Sequence, residues 1–159
     1  MTIDPPKVGS RGEAWVAAQV AIIVLTVLCG LRGHGWPRST RVVRWPCSAV
    51  AALVGGWLFA AGALGLGRQL TPFPRPVAEG RLREDGAYGL VRHPIYGGVL
   101  LVVLAWCLLS SPLAFVPWGT AIPFLGAKSR REEAWLAEQH PEYAGYRERV
   151  RHRFVPFVW

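Results

Sequence analysis

The sequence predicts an all-α integral membrane protein with about four transmembrane helices, the last two forming a short hairpin, followed by cytosolic helices at the C-terminus. Hydrophobic residues make up 52% of the 159 residues and charged residues only 18%. The apolar residues are gathered into blocks, several of them close to the ~20 residues that a helix needs to cross a bilayer. The tryptophans fall largely near the ends of these blocks, as in an interfacial belt. We expect one membrane domain over residues 1–159.

The first two spans are expected within residues 14–67. The block at 14–31 contains Gln19 as its one strongly polar side chain, and no basic region directly precedes it, so it is interpreted as a retained span rather than a leader. Residues 32–46 contain four arginines and two prolines. This segment is predicted to form a loop. The block at 47–67 is rich in Gly and Ala, which favour close packing of membrane helices.

The second half, residues 70–159, is expected to hold the functional part of the chain. The proline-rich stretch 71–76 should be extended. Residues 94–127 contain no Asp, Glu, Lys or Arg, and a Ser-Ser-Pro sequence interrupts them at 110–112. This pattern predicts two antiparallel helices at 95–109 and 113–127, the second kinked by Pro117 and Pro123. A separate polar helix is predicted at 130–139, another from Pro141 through Val150, and an apolar tail that lies on the membrane or the core.

The basic residues predict the orientation. Fourteen of the eighteen Lys and Arg lie in the N-terminus, the middle connection and the C-terminal part, which four spans would place on one side. By the positive-inside rule both termini and the active site face the cytoplasm, and the expected location is a bacterial inner membrane. The net charge of +8 is assigned to topology and lipid contact, not to nucleic acid. The three cysteines lack metal-ligand spacing, and no metal is expected.

Polar, ionisable and aromatic residues gather at both ends of the predicted hairpin. Arg92, His93 and Tyr96 stand where the charge-free run begins, and Glu132-Glu133 follow its end. Each has an ordinary explanation, since an interfacial Arg often snorkels and paired glutamates often form a solvated helix face. Tyr143 and Tyr146 could equally be packing residues at helical spacing. Their combination on one membrane face nevertheless indicates a ligand site.

The order of these residues resembles the isoprenylcysteine carboxyl methyltransferase family, which is related to the membrane phospholipid methyltransferases. The resemblance covers roughly residues 70–157, and the lead-in at 71–76 is similar to that of bacterial members. It rests on a first motif at 86–98, a hairpin, a Glu-Glu-x-x-Leu sequence, a Tyr-x-x-Tyr sequence and a late Pro156. It implies S-adenosylmethionine as methyl donor, a lipophilic acceptor that enters from the bilayer, and contact with membrane lipid. The matching cofactor-binding positions are Tyr88, His93, Pro94, Tyr96, Gly97, Gly98, Glu132 and Glu133.

Arg92 and Glu133 are the residues expected to be catalytic under this resemblance. Methyl transfer is an in-line displacement that depends mainly on proximity and alignment. An acceptor carboxylate, for example of an isoprenoid-type lipid, would need no general base and could be held by Arg92. An acceptor amine would need Glu133 or His93 to take a proton. The acceptor, the methylated atom and the division of residues between donor and acceptor stay open.

Two other functions compete with this interpretation. Sterol and related membrane reductases share a similar C-terminal hairpin and a His-Pro-x-Tyr element, but use a nicotinamide cofactor such as NADPH. The Glu-Glu-x-x-Leu sequence favours the methyltransferase over them. The second competitor is a non-enzymatic lipid-binding membrane protein, in which Arg92 and the C-terminal arginines bind anionic headgroups. Such a protein would tolerate Arg92→Lys, whereas a bidentate site would not.

Overall fold

A computed structural model describes residues 12–73, 75 and 80–156, and within these ranges the chain is helical and contains no strand. The expected N-terminal basic residues, the prolines at 74 and 76 and the last three tail residues lie outside the described residues. Short 3₁₀ turns connect five α-helices. The helices are α1 (Glu13–Arg32), α2 (Arg41–Leu66), α3 (Pro94–Leu109), α4 (Phe115–Gln139) and α5 (Tyr143–Arg149).

Helix α1 and the helical stretch that contains α2 are long and apolar enough to cross a membrane. Only 11% and 22% of their most apolar windows are buried inside the protein, so most of these side chains face outward. Leu31, Leu53 and Leu64 are examples, with exposed fractions of 66%, 74% and 81%. An outward apolar surface of this extent is typical of helices that face lipid. The described residues thus contain two candidate spans, and α3, with 16 residues, is shorter than a full span.

Two expected boundaries are wrong. Helix α2 begins at Arg41, inside the expected loop, because Pro46 lies in its second turn and removes only one backbone hydrogen bond there. The expected gap between a span ending at 127 and a polar helix starting at 130 does not exist. Helix α4 continues from Phe115 to Gln139, so the apolar segment and the glutamates share one rigid element. The prediction of a helix at 95–109 is confirmed within one residue.

Glycines allow α2 and α3 to pack closely. A Cβ added at Gly55 would lie 2.9 Å from the carbonyl oxygen of Gly98, and one added at Gly98 would lie 2.7 Å from the carbonyl oxygen of Gly55. A Cβ added at Gly62 would lie equally close to the side chain of Pro94. Small residues that bring backbones together are a recurrent feature of helix packing in membranes. This contact fixes the N-terminal end of α3, where the first motif lies, against α2.

Helix α1 packs on α4 and α3 rather than mainly on α2. The segment after α5 returns to the start of α3, where a Cβ on Gly97 would lie only 1.9 Å from the carbonyl oxygen of Phe154. Phe154 is fully buried together with Leu100 and Leu125. The C-terminal segment is therefore part of the core and closes over the beginning of α3.

Candidate functional site

Backbone hydrogen bonds position the first motif. The N–H groups of Arg92 and His93 donate to the carbonyls of His152 and Arg153 over 3.0 and 2.8 Å. Pro94 then occupies the first turn of α3, where its missing N–H costs nothing. The chain is non-helical at Arg92-His93 and helical immediately afterwards, and both side chains reach Glu133 on α4.

Glu133 is the centre of a buried ion cluster. Its Oε1 accepts hydrogen bonds from Arg92 Nε over 3.0 Å and from Arg153 Nε over 3.2 Å, and lies 3.0 Å from His93 Nε2. Its Oε2 accepts from Arg153 Nη2 over 3.2 Å. Burial alone would raise the pKa of Glu133, but the hydrogen bonds and charges of His93 and Arg92 outweigh it and lower the pKa to about 2. The carboxylate is therefore ionised at neutral pH.

The guanidinium of Arg92 donates mainly to other groups of the protein. Besides Glu133, it donates from Nη1 to the carbonyl oxygens of Val150 and Arg151 over 2.7 and 2.8 Å. It thereby holds the C-terminal segment to α4. This arrangement suits a residue that organises the site, although Arg92 also contributes surface to the adjoining cavity.

A second, smaller polar group lies next to this cluster. The Tyr96 hydroxyl donates to Glu132 Oε2 over 2.7 Å, and the Tyr96 ring stacks on His93 with centroids 5.4 Å apart. His93 Nδ1 lies 3.8 Å from the same Glu132 oxygen. Unlike Glu133, the Glu132 side chain is 26% exposed, so this group connects the site to solvent.

Three of the expected site residues are positioned by packing. Gly97 lies against the Phe154 backbone and Gly98 against α2, while Pro94 contacts Gly62. None of the three lines the cavity described below, nor does Glu133. Tyr88, Arg92, His93, Tyr96 and Glu132 do line it.

A cavity of about 440 Å³ adjoins the motif residues, and its wall contains both apolar and polar side chains. Helices α1, α2 and α3 contribute apolar residues to it. The connection before α3, together with α4 and α5, contributes polar and aromatic residues. The apolar wall includes Val16, Val20, Phe59, Ile95 and Val99; the polar wall includes Arg81, Arg83, Tyr88, Arg92, His93, Glu132, His140, Tyr143 and Tyr146.

Tyr143 brings an unused hydroxyl to the polar wall. The residue is only 3% exposed, and within the described part of the chain its hydroxyl has no hydrogen-bond partner. Tyr146, whose ring contacts that of Tyr143, donates instead to the Tyr88 carbonyl over 2.8 Å. Burial raises the pKa of Tyr143 and of Tyr146, so both remain neutral hydroxyl donors. The structure thus leaves one buried hydroxyl donor without a partner next to the cavity.

Sequence reasoning missed four residues of this region. Lys128 was counted only among the basic residues that predict the orientation, yet it is fully buried and lines the cavity, one helical turn before Glu132. Arg153 was counted as a topological charge but bonds Glu133. Arg81 and Arg83 are exposed and belong to the polar wall. The available signal was the i, i+4 spacing of Lys128 and Glu132. This spacing makes the two side chains neighbours only if the helix is continuous between them, as α4 is.

Among the residues that the structure describes, no group of three or more His, Cys, Asp or Glu side chains is placed to hold a metal ion. The ionisable side chains of the site are instead joined to one another.

Comparison with known proteins gives partial matches. No family model matches the chain. It is 37% identical over 90 residues to the Delta(14)-sterol reductase TM7SF2 of Mus musculus, covering 53% of this chain and 21% of that protein. It is 33% identical over 88 residues to a Delta(14)-sterol reductase of Methylotuvimicrobium alcaliphilum, covering 49% and 19% respectively. The chain therefore spans about a fifth of the length of these relatives.

These similarities correct the sequence-based interpretation of family and activity. The expected methyltransferase family, its S-adenosylmethionine cofactor and its methyl-accepting lipid partner are contradicted by relatives that are reductases. The structure gives a physical reason for the error. Arg92 and Glu133, on which the resemblance rested, build the ion cluster, and Gly97, an implied cofactor-binding position, packs against the C-terminal segment. A scaffold of this kind does not by itself specify which ligand occupies the neighbouring cavity.

Proposed function

We propose that this chain forms the ligand-binding part of a membrane reductase, which uses a reduced nicotinamide nucleotide to saturate a carbon–carbon double bond in a lipophilic substrate. The observation that carries the proposal is the cavity of about 440 Å³, whose wall contains both apolar side chains and arginines. The apolar side chains suit a lipid, and the arginines suit a charged nucleotide. The similarity to two sterol reductases supports reduction as the reaction.

The polar wall has the chemistry that a nicotinamide nucleotide requires. Arg81 and Arg83 provide exposed cations for phosphate groups. The aromatic rings of Tyr88 and Tyr146 offer surface for a base, and Tyr143 has a hydroxyl left to donate. The nucleotide would supply hydride to the double bond. The protein's part is to hold the two ligands side by side and to exclude water from the place where they meet.

Tyr96 is suited to manage the proton that must accompany the hydride. Its hydroxyl lies on the cavity wall and is bonded to Glu132, which is partly exposed to solvent. A proton given up from this hydroxyl could be replaced through Glu132. In this proposal Arg92 and Glu133 act as positioning residues, since their charges are satisfied by each other and by the C-terminal segment.

The membrane arrangement completes the proposal. Residues 1–159 form one membrane domain, in which the two spans expected at 14–67 correspond to α1 and α2. Helix α3 and the apolar half of α4 form a short hairpin within 70–159, which gives four membrane helices in total. Both termini and the polar wall of the cavity face the cytoplasm of a bacterial inner membrane, where the nucleotide is available.

Nucleotide binding tests the proposal directly. The full chain, purified in detergent, is titrated with NADPH while the quenching of tryptophan fluorescence is followed. We expect saturable binding that weakens with salt, because phosphate–arginine contacts are screened. The variant Arg83→Gln should weaken binding about tenfold, the size expected for one charge-assisted hydrogen bond worth ~1.5 kcal/mol.

Arg147→Gln is the matched control, because Arg147 is an exposed arginine on α5 that does not line the cavity. It should bind NADPH like the unmodified chain. A folded protein that binds neither NADPH nor NADH would overturn the proposal. Equal weakening by the two variants would show that the binding is nonspecific attraction to a basic surface.

A further inference from the structure

The end of the helix bundle opposite to the Glu133 cluster carries a separate group of arginines. We call it the arginine end; it consists of residues 32–46 and 107–115. Trp36 Nε1 donates to the Cys107 carbonyl over 3.1 Å, so the connection between α1 and α2 is bonded to the end of α3. Helix α3 begins beside the cluster at Pro94 and has 16 residues. At 1.5 Å per residue, the arginine end therefore lies about 24 Å from the cluster.

The arginine end is positively charged. Its charged residues are Arg32, Arg38, Arg41 and Arg44, and its two segments contain no Asp or Glu. Arg44 is bound within the protein, since it donates to Thr40 Oγ1 over 2.8 Å and to the Leu108 carbonyl. The other three arginines are exposed, and their side chains form no hydrogen bond or ion pair with another described residue. Within the described part of the chain, these three cations have no counter-charge.

Two of the three cations, Arg38 and Arg41, stand at the start of α2. They lie three residues apart in one continuous helical stretch, Arg38–Gln69, which places them on the same face. The first turn of α2 contains no acidic residue, and the Thr40 side chain does not cap it. The N-terminus of a helix carries partial positive charge, so cations are unfavourable there. A bound anion would offset this repulsion and neutralise the guanidinium groups.

Exposed apolar side chains continue from these arginines along α2. The Arg41 guanidinium lies 4.4 Å from the centroid of the Trp45 ring, and this ring is half exposed. Val50 and Leu53, further along the helix, are exposed as well. A small soluble anion would contact only the arginines. An anion that carries acyl chains would also cover the apolar side chains below them.

We propose that the arginine end binds the headgroup of an anionic phospholipid, with Arg38 and Arg41 on the phosphate and the acyl chains along the outer face of α2. Arginine binds phosphate through charge-assisted hydrogen bonds, and tryptophan favours the level of the headgroups. A zwitterionic lipid would bring a cation as well, and the arginine end has no acidic residue to receive it. Neither arginine lines the cavity, so this inference does not depend on the proposed reductase function.

Competition between two lipids at the surface of α2 tests the inference. A fluorophore is attached at Ala49→Cys, an exposed position one helical turn after Trp45. Cys29→Ser and Cys47→Ser leave only the buried Cys107 as a further thiol. The full chain is reconstituted in phosphatidylcholine vesicles with increasing fractions of spin-labelled phosphatidylglycerol or spin-labelled phosphatidylcholine, whose nitroxide quenches the fluorophore. We expect phosphatidylglycerol to bind at least about fivefold more tightly, the factor for one arginine near an anionic lipid surface.

The double variant Arg38→Gln/Arg41→Gln should abolish this preference. The matched control is Arg130→Gln/Arg147→Gln, which removes the same charge from exposed positions on α4 and α5 and should retain the preference. Thermal unfolding in detergent checks that each protein is folded. If the first double variant does not fold, salt decides the question on the chain with its arginines intact. High salt should then reduce the preference for phosphatidylglycerol, because it screens exposed charges.

Three results would overturn the inference. The first is equal quenching by the two lipids when all arginines are present. The second is a preference that persists in the folded Arg38→Gln/Arg41→Gln variant or that does not respond to salt. The third is an equal loss of preference in both double variants, because the lipid would then respond to net charge and not to the arginine end. NADPH binding is measured separately, so its failure would leave each of these results unchanged.

Discussion

The buried polar groups around Glu133 and those on the cavity wall differ in how completely the protein satisfies them. Glu133 accepts hydrogen bonds from two arginines and adjoins His93, and Arg92 reaches two further carbonyls. On the cavity wall, the Tyr143 hydroxyl is unpaired, and Lys128 donates to an amide and a carbonyl oxygen instead of a carboxylate among the described residues. A satisfied buried cluster stabilises a fold, whereas a buried polar group without a partner is a cost that calls for an explanation.

The largest effect should come from breaking the Glu133 cluster. Glu133→Gln leaves Arg92 and Arg153 without their carboxylate, and loss of one partner of a buried ion pair costs about 3–5 kcal/mol in the free energy of unfolding. Thermal or denaturant unfolding in detergent measures this. Glu138→Gln, an exposed position on the same helix, should change stability by less than ~0.5 kcal/mol. Equal stability of both variants would contradict a structural role for the cluster.

Acid should weaken the same cluster. The pKa of Glu133 is lowered from 4.5 to about 2, so its ionised form stabilises the folded state fully above pH 4.5. That contribution is lost progressively as the pH falls from 4.5 toward 2. We expect the unfolding temperature to drop over this window more in the unmodified chain than in Glu133→Gln. If the unfolding temperatures of the two proteins fall equally over this window, the acid sensitivity does not come from Glu133.

Gly97 tests how closely the C-terminal segment packs on α3. In Gly97→Ala the new Cβ would meet the Phe154 carbonyl at 1.9 Å, and overpacking of this kind costs about 2–3 kcal/mol. Gly119→Ala is the control, since a Cβ there meets nothing within 4 Å and replaces glycine in a helix. It should be neutral or slightly stabilising by ~0.5–1 kcal/mol. The unfolding temperature of Gly97→Ala should be lower than that of Gly119→Ala. Equal unfolding temperatures would contradict the close packing at Gly97.

The smallest effects separate the two tyrosines of α5. Tyr146→Phe loses the hydrogen bond to the Tyr88 carbonyl and should reduce stability by about 1 kcal/mol. Tyr143→Phe removes an unpaired hydroxyl and should leave the ligand-free protein as stable as before, or slightly more so. NADPH should raise the unfolding temperature of Tyr143→Phe less than that of the unmodified chain. An equal rise would show that this hydroxyl does not contact the nucleotide.

The sequence predicted much of the fold but placed some boundaries wrongly. Apolar blocks identified α1 and α3, because the length of a span and the start of a helix at Pro94 are local properties. The break expected after residue 127 was wrong, since a change from apolar to polar composition does not interrupt backbone hydrogen bonding. The resemblance to methyltransferases was wrong as well, because its motif residues build a scaffold and carry little information on the ligand.

By itself, the sequence determined that the chain has helices suited to a membrane, and that Arg92, His93, Tyr96, Glu132 and Glu133 belong near one another. Composition suffices for the first conclusion, and the second follows from the predicted hairpin, whose two ends the basic residues place on one membrane face. Only the tertiary structure decided which charges are consumed within the protein and which remain available. It paired Glu133 with Arg153, twenty residues away, and left Lys128 and Tyr143 on a cavity wall. Hydrogen-bond satisfaction depends on the three-dimensional arrangement of several separate segments, and no local pattern encodes it.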